Sequence, residues 1–180
     1  MGASQQRVLD AEGVSRILQR MAFEILERIA EPGALSLVGI RRGGVPLAER
    51  LAGLIGAAEG REVPVGAVDI TLYRDDAASA LPDPKVGPSE IEFSIQGSDV
   101  VLVDDVLHTG RTVRAAIEHL LDYGRPRRIW LAVLCDRGGR ELPIAADFVG
   151  RSLEVGPGQR LDVSLEAGAV LSPGTQEQGP

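Results

Sequence analysis

Val100-Val101-Leu102-Val103-Asp104-Asp105-Val106-Leu107-His108-Thr109-Gly110-Arg111-Thr112 reads from a buried strand into a helix. Four consecutive aliphatics, Val100–Val103, suit a strand covered on both faces. Val113, Ala116, Ile117, Leu120 and Leu121 then recur at helical spacing until Gly124. Between strand and helix stand two carboxylates and a turn holding two hydroxyls and a glycine. A helix start of this kind offers unpaired backbone N–H groups and a favourable dipole to a phosphate. Gly110 lets the backbone approach the anion, and Asp104 and Asp105 are expected to face the hydroxyls of a sugar carrying it. The competing reading is a capped turn with a solvated acidic doublet. Thirteen residues in this order are more specific than a lone glycine-rich turn.

Other elements fall into place on either side. Asp10 is predicted to cap a helix whose apolar face is Val14, Ile17, Leu18, Met21, Ile25 and Ile29, ended by Pro32-Gly33. Leu35–Ile40 reads as a short buried strand, Arg41-Arg42-Gly43-Gly44 as a tight basic turn, and Leu47–Ala57 as a helix entered near Pro46. A strand is predicted over Val65–Tyr73. The polar stretch from about Arg74 to Glu90 is too long for an ordinary connection and suggests a lid or a solvated hairpin. Alternation at Ile91, Phe93 and Ile95 predicts a returning strand. Ile129–Cys135, a short piece at Phe148–Val149, and Leu161, Val163 and Leu165 read as further strands. Strands alternating with helices imply an α/β fold with a doubly wound, mainly parallel sheet, in which ligands bind beyond the carboxyl ends of the strands. One domain is expected over residues 1–171, with a disordered tail over 172–180.

Composition narrows the classes. With 180 residues, a net charge of −7 and eighteen arginines to one lysine, the chain is not basic overall, although a local arginine patch is compatible with those numbers. No apolar run reaches the ~18 residues that a spanning helix needs. Cys135 is the lone cysteine, so no internal disulfide forms, and a reducing, cytoplasmic setting is expected.

The thirteen-residue segment resembles the phosphoribosyl pyrophosphate signature of type I phosphoribosyltransferases. Within that family the chain is similar to the pyrimidine-operon attenuation regulators that are also uracil phosphoribosyltransferases. The similarity runs from about Leu9 to Val149. It includes Val68-Asp69-Ile70-Thr71-Leu72-Tyr73-Arg74-Asp75-Asp76, Asp104–Arg114, Asp136-Arg137-Gly138 and Arg140–Ile144. The resemblance implies a parallel sheet with a small hood and a flexible loop. It implies transfer of phosphoribose to uracil, giving UMP and pyrophosphate. Magnesium is implied as cofactor, carried by pyrophosphate and water with no direct protein ligand.

It also implies residue roles. Val106, Leu107, His108, Thr109, Gly110, Arg111 and Thr112 hold the 5′-phosphate, and Asp104 and Asp105 serve the ribose. Arg41, Arg42, Gly43 and Gly44 take the place of the pyrophosphate loop, with Arg41 catalytic alongside the doublet. Arg74 adds charge from the lid, and Arg137 helps hold pyrophosphate or base. Phe148 and Val149 are expected to form the base pocket, by stacking and backbone hydrogen bonding. Binding of pyrimidine-operon messenger RNA would use Arg16, Arg20, Arg140 and Arg151, and a homodimer or homotetramer is the usual assembly.

The chain departs from the family at several points. Arg42 and Gly43 stand where the family has Thr and Arg, and His108 replaces an aromatic. Leu153-Glu154-Val155-Gly156 replaces an Ile-Pro-Thr-Ser run. Phe23 and Gly139 replace histidines, and Ala145 replaces an arginine. Two other readings therefore stay open: an RNA-binding regulator with little catalysis, and a purine-base phosphoribosyltransferase.

Overall fold

The computed structural model describes residues 5–29, 34–70 and 89–173. Five strands form a parallel sheet: β2 (Leu35–Ile40), β3 (Val65–Val68), β4 (Asp99–Leu107), β5 (Arg128–Asp136) and β6 (Phe148–Ser152), in the order β3-β2-β4-β5-β6. Three more, β1 (Gln6–Leu9), β7 (Gln159–Ser164) and β8 (Gly168–Pro173), form an antiparallel sheet in the order β1-β8-β7. The helices are α1 (Ala11–Arg28), α2 (Gly44–Glu59) and α3 (Arg111–Leu120), the last continued by a 3-10 turn to Tyr123.

The main sheet is buried on both faces because its strands are aliphatic throughout. Val101, Val103 and Leu134 pack with α1, α2 and the three-stranded hood. Val100, Leu102 and Val133 pack against Val113, Ala116 and Leu120 of α3. Each such side chain contributes ~1.5–3 kcal/mol when taken out of water. Asp10 caps α1 as expected, accepting the Gly13 N–H at 2.7 Å. Gly150 brings α1 close to β6: a Cβ there would lie 2.4 Å from the Leu134 carbonyl oxygen and 2.7 Å from Ile17. As an edge strand, β6 has open carbonyls, and α1 covers them. Arg20 donates to Val149 and Gly150, and Arg28 to Asp147.

The structure corrects several expectations. α2 starts at Gly44, three residues before Leu47, with Pro46 in its first turn where no N–H is missed. β3 stops at Val68, and Thr71–Tyr73 lie outside the described residues, as do Pro32 and Gly33. Residues 91–95 form no strand; one antiparallel bridge joins Glu90 to Ala67. Ile95 instead closes a turn, its carbonyl accepting from the Ser98 N–H and hydroxyl. Leu165 sits in the β7–β8 turn, and β8 runs through Ser172 and Pro173, which were expected in the tail.

Candidate active site

The chain leaves β2 through α2 to β3 on one side, then returns to place β4 on the other side of β2. Strand order reverses between β2 and β4, and such a switch point opens a crevice at the strands' carboxyl ends. Two loops meet there. Arg41–Gly43 follows β2, and His108–Gly110 follows β4. The first of them lies against β4 itself through glycine: a Cβ on Gly43 would stand 2.1 Å from Asp105 Oδ2, and one on Gly44 2.1 Å from the Val103 carbonyl oxygen. The Arg41–Arg42 peptide is cis.

Both loops open helices, and neither helix is capped by a side chain. Gly43 and Gly110 occupy the cap positions, with no acidic residue in the first turn of α2 or α3. α1 has both an Asp cap and Glu12 in its first turn. Two helix starts without an acidic first turn thus follow β2 and β4, a favourable setting for phosphate groups, and the first N–H of α3, that of Arg111, donates to the Thr109 hydroxyl at 3.3 Å. Gly110 adopts φ 93°, a left-handed conformation that glycine takes without strain.

The carboxylates of the doublet differ. Asp104 is buried at 6% exposure, and its Oδ1 accepts the Asp105 N–H at 2.9 Å. Asp105 is half-buried, and its Oδ1 accepts the Val106 N–H at 2.7 Å. Both belong to β4, which continues to Leu107 beyond the predicted Val103.

Behind the phosphate loop, residues 137–144 form a brace. Arg137 N–H donates to the Leu107 carbonyl at 3.0 Å, and the Glu141 and Leu142 N–H groups donate to Thr109 at 3.0 and 3.1 Å. Arg111 pairs with Glu141 at 2.7 Å. Arg140 donates to the carbonyls of His108, Gly138 and Ile144 and pairs with Asp136. Burial alone would push the Asp136 carboxyl up, but the Arg140 and Gly138 hydrogen bonds and the Arg140 charge hold it below its ordinary value. Burial, then the Arg137 charge, lowers His108 below its ordinary value. Cys135 is inert: burial and the Asp105 charge push its thiol up to about 12.

The expected residues are thus only partly assembled. Gly43 and Gly44, which follow Arg41 and Arg42, lie against Asp105 and the Val103 carbonyl beside Asp104, and Arg137 joins Leu107 at the head of the loop through Thr112, whereas Arg74 lies outside the described residues. Phe148 and Val149 do not reach the crevice. In register, Phe148 lies beside Ala132, while Leu107, Asp136 and Ser152 share the ligand edge. Phe148 is therefore four residues short, ~13 Å at strand rise. Its ring is 1% exposed, packed against Trp130 with the Arg28 guanidinium over it. Val149 packs toward α3, and its carbonyl is taken by Arg20. The residues at the edge are Ser152 and Leu153, whose N–H donates to the Asp136 carbonyl at 2.9 Å. The rule that ligands lie past the strand ends could have found them.

A second concavity of about 590 Å³ lies between β1, α1 and β6, lined by Arg7, Arg16, Arg20 and Arg151 around Asp10 and Gly13. Three of the four arginines expected to meet RNA converge here. Arg140 does not; it is the centre of the brace.

Comparison with known proteins agrees with this geometry. The phosphoribosyl transferase domain family matches residues 4–161. A protein named Bifunctional protein PyrR from Pelotomaculum thermopropionicum is 54% identical over 166 residues, covering 92% of each chain. One of the same name from Thermus aquaticus is 51% identical over 159 residues, 88% of each. Among solved structures, a hypoxanthine-guanine phosphoribosyltransferase from Bacillus anthracis superposes with a TM-score of 0.66 at 17% identity, covering 85% of this chain and 86% of that one. The hypoxanthine phosphoribosyltransferase of Trypanosoma cruzi gives 0.66 at 18%, covering 87% and 84%. With the family model matching most of its length and relatives more than half identical, the chain belongs to the phosphoribosyltransferase family.

Proposed function

We propose that the protein is a uracil phosphoribosyltransferase, converting uracil and phosphoribosyl pyrophosphate to UMP and pyrophosphate. The observation that carries this reading is the meeting of the α2 start with the acidic doublet at the switch point, where Gly43 lies against Asp105 and Gly44 against the Val103 carbonyl, just ahead of the turn that opens α3. In it, Leu107–Thr112 hold the 5′-phosphate, Asp104 and Asp105 accept hydrogen bonds from the ribose hydroxyls, and Arg41–Gly44 with Arg137 hold the pyrophosphate. Arg74 adds charge from its segment. The base lies at the Ser152–Leu153 edge, where uracil N1 attacks the anomeric carbon as the bond to pyrophosphate breaks. Positive character developing on the sugar is stabilised by the doublet, and the leaving charge by the guanidinium and amide groups.

Magnesium fits this donor set. Carboxylates stand beside the pyrophosphate loop, and among the described residues no cluster of three His, Cys, Asp or Glu forms a cage of its own. Substrate oxygens and water would supply the remaining ligands. When bound, the ion neutralises charge on the diphosphate.

The arginine-lined concavity supports a second activity, binding of pyrimidine-operon messenger RNA as a uridine-nucleotide-responsive attenuator, in keeping with relatives named bifunctional. We place the protein in the cytoplasm as a homodimer or homotetramer. Among the described residues no helix is long and apolar enough to cross a membrane.

The test is pyrophosphate release from phosphoribosyl pyrophosphate and magnesium with uracil, hypoxanthine, guanine or orotate. Release with uracil alone is expected. Release with a purine moves the protein to purine salvage, and silence with every base makes it a regulator without turnover.

A further inference from the structure

Arg41 has a partner that the reaction does not call for. Its guanidinium meets Glu90 Oε1 at 3.0 Å, and its Nε is buried without a hydrogen-bond partner among the described residues. Glu90 is held in place by its backbone, which exchanges two 2.8 Å hydrogen bonds with Ala67. Its neighbour Ser89 bonds the Asp69 N–H at 3.1 Å and the His119 ring at 2.8 Å. Arg41 is anchored to the same strand, its N–H donating to the Val68 carbonyl at 2.9 Å. The backbones are therefore fixed, and only the side chains are free to exchange partners. Glu90 is 62% exposed, and an ion pair that open to water is weak. Beside it, Glu49 and Glu92 share a hollow of about 240 Å³ with Glu90.

We infer that Glu90 is a positioning residue that acts as a resident counter-ion for the pyrophosphate-binding Arg41, holding the guanidinium until diphosphate displaces it and returning as pyrophosphate leaves. This rests on the reading of Arg41–Gly44 as the pyrophosphate loop. A diphosphate carries several charges and forks onto guanidinium, so it outcompetes one exposed carboxylate. The carboxylate in turn weakens the product's hold, because Arg41 loses less when pyrophosphate departs.

The test is calorimetric binding of inorganic pyrophosphate with magnesium to the parent protein, E90Q, R41Q and the E90Q/R41Q pair, with E92Q as a control. E90Q is expected to tighten binding ~2–5-fold, the size of one surface ion pair, and to lower KM for phosphoribosyl pyrophosphate in step. E92Q stays at the parent value, and E90Q has no effect once Arg41 is Gln. Unchanged or weaker binding by E90Q overturns the inference, as does equal tightening in the R41Q background, which reflects removal of a nearby charge alone. No pyrophosphate binding by the parent overturns the reading of the loop and the inference with it.

Discussion

Asp104 and Asp105 are neighbours in sequence with unlike surroundings, one buried in β4 and one against Gly43. Both accept a following backbone N–H, which an asparagine oxygen can also do. D104N/D105N is therefore expected to keep the parent melting temperature while kcat falls ~100-fold or more, as when a group that stabilises transition-state charge is removed. Activity within a few-fold of the parent would refute the role. Arg140 holds the brace: R140M takes one donor from each of three carbonyls and from Asp136, which keeps the Gly138 N–H, an expected loss of ~2 kcal/mol in urea unfolding at pH 7. Asp136 is held below its ordinary value, so its contribution is complete above the carboxylate range and disappears as pH falls through the lowered value. The R140M deficit should accordingly shrink in acid; a deficit constant from pH 7 to pH 2 would contradict the pairing. The strand, turn and helix that carry the doublet were legible because their pattern is local to thirteen residues. Phe148 was not, because its distance from the ligand edge depends on strand register, which one strand's residues do not display.

Helices α2 and α3 show how glycine joins two loops into one site. G44A puts a methyl against the Val103 carbonyl, backbone that cannot yield, and is expected to cost ~2 kcal/mol or more by unfolding. G43A meets only the movable Asp105 carboxylate, so its loss should appear mainly in activity. Equal stability of the two variants would argue against this contact geometry. The three helices and the central strands were readable from apolar periodicity, within three residues at their starts. The strand expected at Ile91–Ile95 is not formed, its end being taken into the turn at Ile95–Ser98, although the alternation itself is real: Ile91 and Phe93 still pack against the core, beside Gly66 of β3. β1 and β8 escaped notice because β1 is four largely exposed residues and β8 carries no alternation of its own, its register being set by β1 and β7.

The whole molecule carries a charge of −7, yet four arginines face one concavity. If RNA binds there, affinity should fall steeply with salt, and R16E/R151E should lower it at least ~10-fold at 0.1 M salt and flatten the log–log slope by roughly 1.5–2. Pyrophosphate release should be unaffected, because neither residue lines the crevice. Unchanged RNA affinity would move the interface elsewhere. The hood bears on how the molecule is made. Its middle strand, β8, follows the other described strands in sequence, and both β1 and β7 depend on it for pairing. The parallel sheet can assemble during synthesis, but β1 must wait for β8, so a polypeptide released before Gly168 carries two strands with open edges and offers quality-control proteases a ready mark of incompleteness.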